Sequence, residues 1–454
     1  MFRHHIVFQM NNKDRFQVTP DDPHSVVSNV DLYDILGLLN FGIQNTVDAV
    51  KELALSPSEI AFDLLLLGTA VMGVDTRISR AKNAQDGWTR EIFLYFPVSD
   101  PGLWQAQAGA LSGMLHFLTG DRWCFQFRPR PKAKQIIVPV SDKFNLAPRD
   151  CVSLLSGGLD SCIGAIDLLT SGREPIFVSH YSDGTTSTYQ RIVLDALKQK
   201  YGKSSFDSLR GNIGFPRNIL HNGGDEGTQR SRSFLFFSLA AYVADGSSGD
   251  TMIYLPENGL ISLNVPLDSL RLGALSTRTA HPYYVARWNE LLGAIGLSGR
   301  LLNPYATQTK GQMIRDCKDL HYLKELLPQT MSCSSPAKAR WDKHAPRHCG
   351  YCMPCLIRRA STLFGLDDDG DTTEYGVELK GQVLNSKKAE GAHVRAAKST
   401  IAKLQANPKY ARLAIFKSGP LTDVGDQLED YVAVYQNGMN EIAELLKTTN
   451  SRPL

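Results

Sequence analysis

Val152-Ser153-Leu154-Leu155-Ser156-Gly157-Gly158-Leu159-Asp160-Ser161-Cys162 is the stretch on which the fold turns. Its apolar start reads as a buried parallel strand over 152–156, and Ser-Gly-Gly then bends the chain into a helix beginning near Asp160. Two adjacent glycines permit a tight bend and a close approach to a ligand. Their N–H groups, with those of the first helical turn, form a concave donor cluster suited to an anion. The hydroxyls of Ser156 and Ser161 add two donors at its rim. The spacing differs from the GxxxxGK[ST] of P-loop nucleotide-binding proteins. A glycine-rich turn with no ligand is the plainer alternative; the full Ser-Gly-Gly-Leu-Asp-Ser run at a strand end favours a nucleotide.

Working outward from this run, strand and helix alternate as an open parallel sheet requires. A second strand is expected from Pro175 to His180 and a helix over 188–201. A helix from Ser233 to Ala244 precedes a third strand, Thr251 to Leu255. In such a sheet a ligand sits beyond the carboxyl ends of the strands, where the glycine run lies. Upstream, residues 1–128 form a region of their own. It has an apolar helical pattern from Leu64 to Val74, a strand from Glu91 to Val98, a helix from Trp104 to Leu118 and a strand from Trp123 to Phe127. Ile92, Leu94 and Phe96 share one face of the first of these strands. Arg128-Pro-Arg-Pro-Lys-Ala-Lys134 reads as a basic, proline-punctuated connector within a linker over 129–149. After Leu366 the chain turns polar at Asp367-Asp-Asp-Gly-Asp371 and then helical, with Leu428 to Leu446 as an amphipathic closing helix. Lys387, Lys388, Arg395, Lys398 and Lys403 read as a solvated face.

The chain of 454 residues is too long for one compact domain. Its 43% hydrophobic and 21% charged content is that of an ordinary globular protein, and a net charge of +3 gives no overall field for nucleic acid. The N-terminus carries no apolar signal core, and the apolar stretches fall short of the roughly 20 residues that span a bilayer. Eight cysteines, half of them clustered, fit a reducing compartment and a metal site better than a disulfide framework. A cytoplasmic protein with no membrane segment is the expectation.

Cys349-Gly-Tyr-Cys352-Met-Pro-Cys355 places three thiols at CxxCxxC spacing, with Cys333 upstream. Four thiolates satisfy tetrahedral Zn2+ with no open position, so the site would be structural. A [4Fe–4S] cluster uses similar triplets and is the competing reading. Cys124, Cys151, Cys162 and Cys317 sit in apolar surroundings and read as core.

The Ser156–Ser161 run resembles the SGGxDS loop of the PP-loop ATP pyrophosphatases, which release pyrophosphate and leave AMP on an acyl or similar oxygen. Combined with Cys…CxxCxxC, it resembles the QueC family of 7-cyano-7-deazaguanine synthases over about residues 150–365. Arg232-Ser-Phe-Leu-Phe-Phe-Ser-Leu-Ala240 resembles that family's GRNxxFLxxA segment. Thr309-Lys310-Gly-Gln-Met-Ile314 is similar to its TKxEI segment, whose lysine faces phosphate. Ser332-Cys333 and Cys349-Gly350-x-Cys352-x-x-Cys355-x-x-Arg358 match the two ends of its zinc site. The family's YPDCR-like base-binding run is absent. Pro256-Glu257-Asn258-Gly259 and Ser276-Thr-Arg-Thr-Ala-His281-Pro282 stand roughly in its place. The extra N-terminal region and tail are similar to the longer QueC-like chains, the QatC group of Qat anti-phage defence operons and their counterparts in type IV CBASS operons.

The resemblance implies an α/β fold of the adenine nucleotide alpha hydrolase-like type, a parallel sheet with helices on both faces and a zinc knuckle. Around this 150–366 ATPase domain stand an α+β accessory domain over 1–128 and a helical extension over 367–454. It implies ATP bound by Ser156, Gly157, Gly158, Leu159, Asp160 and Ser161, with Mg2+ on the phosphates. Asp160 is a candidate Mg2+ ligand or loop orienter, and Lys310 and Arg232 are candidate cationic donors. Lys310 reads equally as a solvated helix start, and Arg232 as a surface ion pair. Zn2+ would be held by Cys333, Cys349, Cys352 and Cys355.

The implied substrate is a 7-carboxy-7-deazaguanine-type small molecule. Glu257 would accept its paired N–H donors, and Arg278 or His281 would hold its carboxylate. The activated acyl group passes to an amine, which is ammonia or an amine of a protein partner from the same operon. A PP-loop tRNA-thiolating enzyme and a non-catalytic ATP-binding scaffold of a defence complex are the alternatives.

Overall fold

The computed structural model describes residues 2–84, 86–130, 149–247, 251–267, 278–366 and 370–452. Most of the 129–149 linker, Ser276 and Asp367 therefore lie outside the described residues. The strands on either side of the linker build two separate parallel sheets. β1 (Arg3–Gln9), β2 (Ser25–Asp31), β3 (Glu91–Val98) and β4 (Arg122–Pro129) pair in the order β2-β1-β3-β4. All three pairings are parallel, with Ile6 opposite Leu94 and Leu94 opposite Phe125 in one inward row. The N-terminal region is thus parallel α/β, which corrects the α+β expectation. β1 escapes a reading by hydropathy because its Arg3-His4-His5 start is polar. His4 is nonetheless fully buried, and its Nε2 pairs with Asn83 Oδ1 at 3.0 Å, which satisfies that ring nitrogen inside a core.

β5 (Cys151–Leu154), β6 (Pro175–His180), β7 (Asp207–Gly211), β8 (Met252–Tyr254) and β9 (Arg300–Leu302) form the second sheet, in the order β7-β6-β5-β8-β9. All four pairings are parallel. Every residue of β6 is buried, as expected for a parallel strand covered on both faces. The helices Leu159–Thr170 and Gly184–Tyr201 pack on one face and Arg232–Gly246 on the other. Strand order reverses between β5 and β8, and a crevice opens beyond the carboxyl ends of strands at such a switch point.

The helix Glu59–Arg77 is capped by Ser58, whose side chain accepts from Ala61 N at 3.2 Å. It is buried on all sides from Ala61 to Thr76. Its apolar residues and those of the N-terminal sheet join Phe234, Leu235 and Val243 of the Arg232 helix in one continuous core. A further core gathers the helices Met353–Leu366, Ala389–Ala406 and Leu428–Leu445 around Leu260 and Leu263. The C-terminal region is mainly helical, and it also holds a short parallel pair, β10 (Val383–Asn385) and β11 (Asn450–Arg452). Among the described residues no helix is long and apolar enough to cross a membrane.

Candidate functional site

The glycine run leaves β5 and turns at Gly157, whose φ is +82°. A Cβ at that position would lie 2.8 Å from the backbone nitrogen of Gln190, so both conformation and space demand glycine. The turn is closed by its own groups. Ser156 N–H and Gly158 N–H donate to the hydroxyls of Ser161 and Ser156, each at 3.2 Å, and the two hydroxyls lie 3.1 Å apart. Ser156 is exposed, while Gly157 and Ser161 are buried. Two outside contacts pin the loop: Met331 N–H donates to Gly157 O at 2.9 Å, and Leu159 N–H donates to Ser332 Oγ at 3.2 Å.

Asp160 points away from this turn into a buried polar cluster. One oxygen accepts from Asn258 Nδ2 at 2.7 Å, and the other lies 3.1 Å from Lys310 Nζ. Burial alone would push the Asp160 carboxyl up. The adjacent Lys310 ammonium, with hydrogen bonds from Glu257, Asn258 and Lys310, outweighs burial and holds it below the usual range. Glu257 is the counterpart: burial and the neighbouring Asp160 charge raise it well above an ordinary glutamate. The cluster therefore holds two carboxyl groups and one cation. Asp160 Oδ2 is hydrogen-bonded, while Oδ1 faces the Lys310 ammonium, an arrangement that suits an orienting role. Glu257 Oε1 accepts from Asn258 Nδ2 at 3.4 Å. Asn258, unremarked beside Glu257 in the Pro-Glu-Asn-Gly run, caps the helix Gly259–Leu263 while holding Asp160.

On the other side of the loop lies a cavity of about 210 Å3, beyond the ends of β5 and β6. Leu154, Val178, Phe236 and Leu239 give it apolar walls; Ser156, Gln190 and Arg232 give it polar ones. Three buried polar atoms of lining residues have no hydrogen-bond partner: His180 Nδ1, Gln190 Oε1 and Arg232 Nε. Such atoms are rare unless something else satisfies them. Burial lowers His180 to about 4, so its ring is neutral, and burial also lowers Arg232. The Arg232 guanidinium lies over the Phe236 ring, 5.0 Å from its centroid. Arg232 is thus a half-buried wall of the cavity, not a surface ion pair. The start of its helix is fixed from the N-terminal region, where Asp75 accepts from both Ser231 N–H and Ser231 Oγ at 2.9 Å.

The four cysteines converge. Their sulfurs all lie within 4.8 Å of one another, with Cys333 to Cys352 at 3.9 Å and Cys349 to Cys355 at 3.8 Å. Zn–S bonds of about 2.3 Å in a tetrahedron require sulfurs roughly 3.8 Å apart. Thiolates on the separate irons of a cubane would stand farther apart, so these spacings fit one ion. The N–H groups of Ser335, Cys349 and Cys352 point at the sulfurs of Cys333, Cys333 and Cys349, at 3.4, 3.4 and 3.3 Å. Among the described residues this is a four-cysteine group that can hold zinc. It also supports the glycine loop, because Arg358 donates to Thr330 Oγ1 at 2.8 Å and reaches Ser332 Oγ at 3.4 Å.

Arg278 and His281 do not join these groups. Arg278 donates to Phe117 O at 2.6 Å and lies over the Phe117 ring. His281 accepts from Tyr283 N at 3.3 Å at its helix start and packs on the same ring. Both tie the Pro282–Ala294 helix to the N-terminal region. No protein-family model matches the chain, and no curated protein matches it significantly.

Proposed function

We propose that the chain is an ATP-dependent carbon–nitrogen ligase of QueC-like type. It would adenylate a 7-carboxy-7-deazaguanine-like carboxylate and pass the acyl group to an amine, in an anti-phage defence setting. The observation that carries the reading is the Ser156–Ser161 turn at the switch point of a parallel sheet, beside a cavity whose lining keeps three polar atoms unpartnered. A base in the cavity would meet those atoms, and phosphates would meet the exposed rim at Ser156.

A carboxylate is inert to amines because oxide is its leaving group. Attack of its oxygen on the α-phosphorus of ATP forms the acyl–O–P bond and breaks the P–O bond to pyrophosphate. The amine nitrogen then bonds to the acyl carbon, the C–O bond to AMP breaks, and the amine loses a proton. Phosphates at the loop would exchange the hydrogen bonds that now close the turn for bonds to the same donors, which would stabilise charge on the departing pyrophosphate. Mg2+, when bound, would neutralise phosphate charge. Lys310 and Asp160 form a buried ion pair that fixes the head of the Leu159–Thr170 helix, and zinc has a structural role behind the loop. Ammonia and the amine of an operon-encoded protein remain the two acceptor classes.

The test is purified protein with ATP, Mg2+ and 7-carboxy-7-deazaguanine, followed by mass spectrometry of nucleotide and base products. AMP and pyrophosphate formed only with the base are expected, and Asp160→Asn should lower their rate by about 100-fold or more. A mass shift on a co-expressed operon protein would identify a protein amine. Wild-type protein that forms no base-dependent AMP would overturn the reading.

A further inference from the structure

The helix Leu428–Leu445 belongs to the tail outside the QueC-like region, yet it backs both segments that supply the partners of Asp160. Towards Asn258, a Cβ at Gly438 would lie 2.7 Å from the Leu260 side chain, and Val434 lies against Gly259. Towards Lys310, Glu441 reaches across a sequence separation of 132 residues. Its carboxylate accepts from Thr309 Oγ1, from Ser361 Oγ at 3.4 Å and from the Gly311 backbone. A Cβ at Gly311 would sit 2.8 Å from both Glu441 oxygens, so glycine there makes room for the carboxylate.

Thr309 is the cap of the Lys310–Arg315 helix. Gln312 N–H donates to its hydroxyl at 3.1 Å, and Thr309 N–H donates to Gln312 Oε1 at 2.7 Å. That hydroxyl has a single proton, and Glu441 takes it. The cap is therefore held from both sides, and the next residue is Lys310, buried with its Nζ on Asp160.

We infer that Glu441 is a positioning residue for Lys310, acting through the Thr309 cap to hold the ammonium on Asp160. The tail helix thereby completes the polar cluster beside the glycine loop. The consequence for nucleotide binding rests on the adenylation reading; the placement of Lys310 does not.

Two measurements on the full chain separate these. In titrations with Mg-ATP, Lys310→Ala and Glu441→Leu should each weaken binding by about 10-fold. The double variant should fall within about twofold of Lys310→Ala alone, because the two residues act in series. Glu441→Gln should stay within about twofold of wild type: its amide oxygen still accepts from Thr309, and Ser361 can accept from its N–H. A double variant with fully additive loss, or Glu441→Leu with unchanged affinity, would overturn the inference. Loss from general loosening would not be confined to Lys310 in this way.

The second measurement is acylation of Lys310 by an amine-reactive ester, read by peptide mass spectrometry. Lys310 should be protected in wild type and Glu441→Gln, and modified at least about 10-fold faster in Glu441→Leu. Equal protection in Glu441→Leu would overturn the inference. If wild-type protein binds no Mg-ATP, the adenylation reading has failed and acylation alone decides the role of Glu441. Should Glu441→Leu melt below the assay temperature, Glu441→Met, which keeps the side-chain length, takes its place in both.

Discussion

Asp75 and Asp121 lie among Arg80 and Arg90 in the N-terminal region, and Asp160 and Glu257 lie beside Lys310 under the glycine loop. In the first cluster two buried acids face two buried arginines. Arg90 Nη2 is 2.5 Å from Asp75 and 2.6 Å from Asp121, and Arg80 Nη2 is 3.1 and 2.5 Å from the same pair. Ser231 and the Arg90 backbone take the remaining oxygens. Burial pushes Asp75 up, but Arg90, Arg80 and these hydrogen bonds bring it to about 2. In the second cluster two acids share one cation, and burial with the Asp160 charge raises Glu257 well above the ordinary range. A closed cluster with matched charge does the work of a fastener. An unmatched one leaves a carboxyl group shifted far from its ordinary range.

The comparison can be broken most severely at the four-cysteine centre, which supports only the second cluster. Structural zinc stabilises isolated zinc-finger folds by roughly 10–16 kcal/mol. Elemental analysis should find one zinc per chain. Chelation should then strip hydrogen-exchange protection from 156–161 and 327–358 while the amides around Asp75 and Arg90 keep theirs. Simultaneous loss at both clusters would mean they are one cooperative unit. Next in size is Arg90→Met, which strands two buried acids with one arginine. It should cost about 3–5 kcal/mol in denaturant unfolding. A cost below about 1 kcal/mol would show that the closed cluster is not closed.

The smallest effect concerns pH. Asp75 sits below its unfolded value, so its contribution is complete above about pH 4 and is lost as pH falls through about 2. Glu257 is raised, so its cost is absent below about pH 4.5 and grows as pH rises towards its folded value, by at most about 1.4 kcal/mol per pH unit. Glu257→Gln should flatten stability against pH above 4.5 and leave the acid limb unchanged. A variant that retains the wild-type slope above pH 4.5 would remove Glu257 as its source.

Local chemistry was the legible part of this chain. The 152–162 run, the Pro175–His180 strand and the Leu428 helix can be read directly because their burial follows local apolar pattern. The four cysteines are legible because metal-ligand spacing is set by short turns. Groups that matter through distant contacts are not. β1 hides behind buried histidines, and β7 and β9 are only five and three residues long. Asn258 and Ser332 act through bonds to residues far away in the sequence. Glu441 looks like any acid on an amphipathic helix until the fold brings Thr309 to it. Arg278 and His281 likewise pack on an aromatic ring from the other sheet's region, a contact no local pattern announces.

The helix Glu59–Arg77, apolar on every side, has a consequence for the order in which the protein is made. Its partner helix, Arg232–Gly246, leaves the ribosome only after some 150 further residues have been added. At about 5–20 residues per second the interval is roughly ten to thirty seconds. Throughout it the nascent N-terminal sheet carries a helix with one flank uncovered. The first third of the polypeptide waits for the second before it can close.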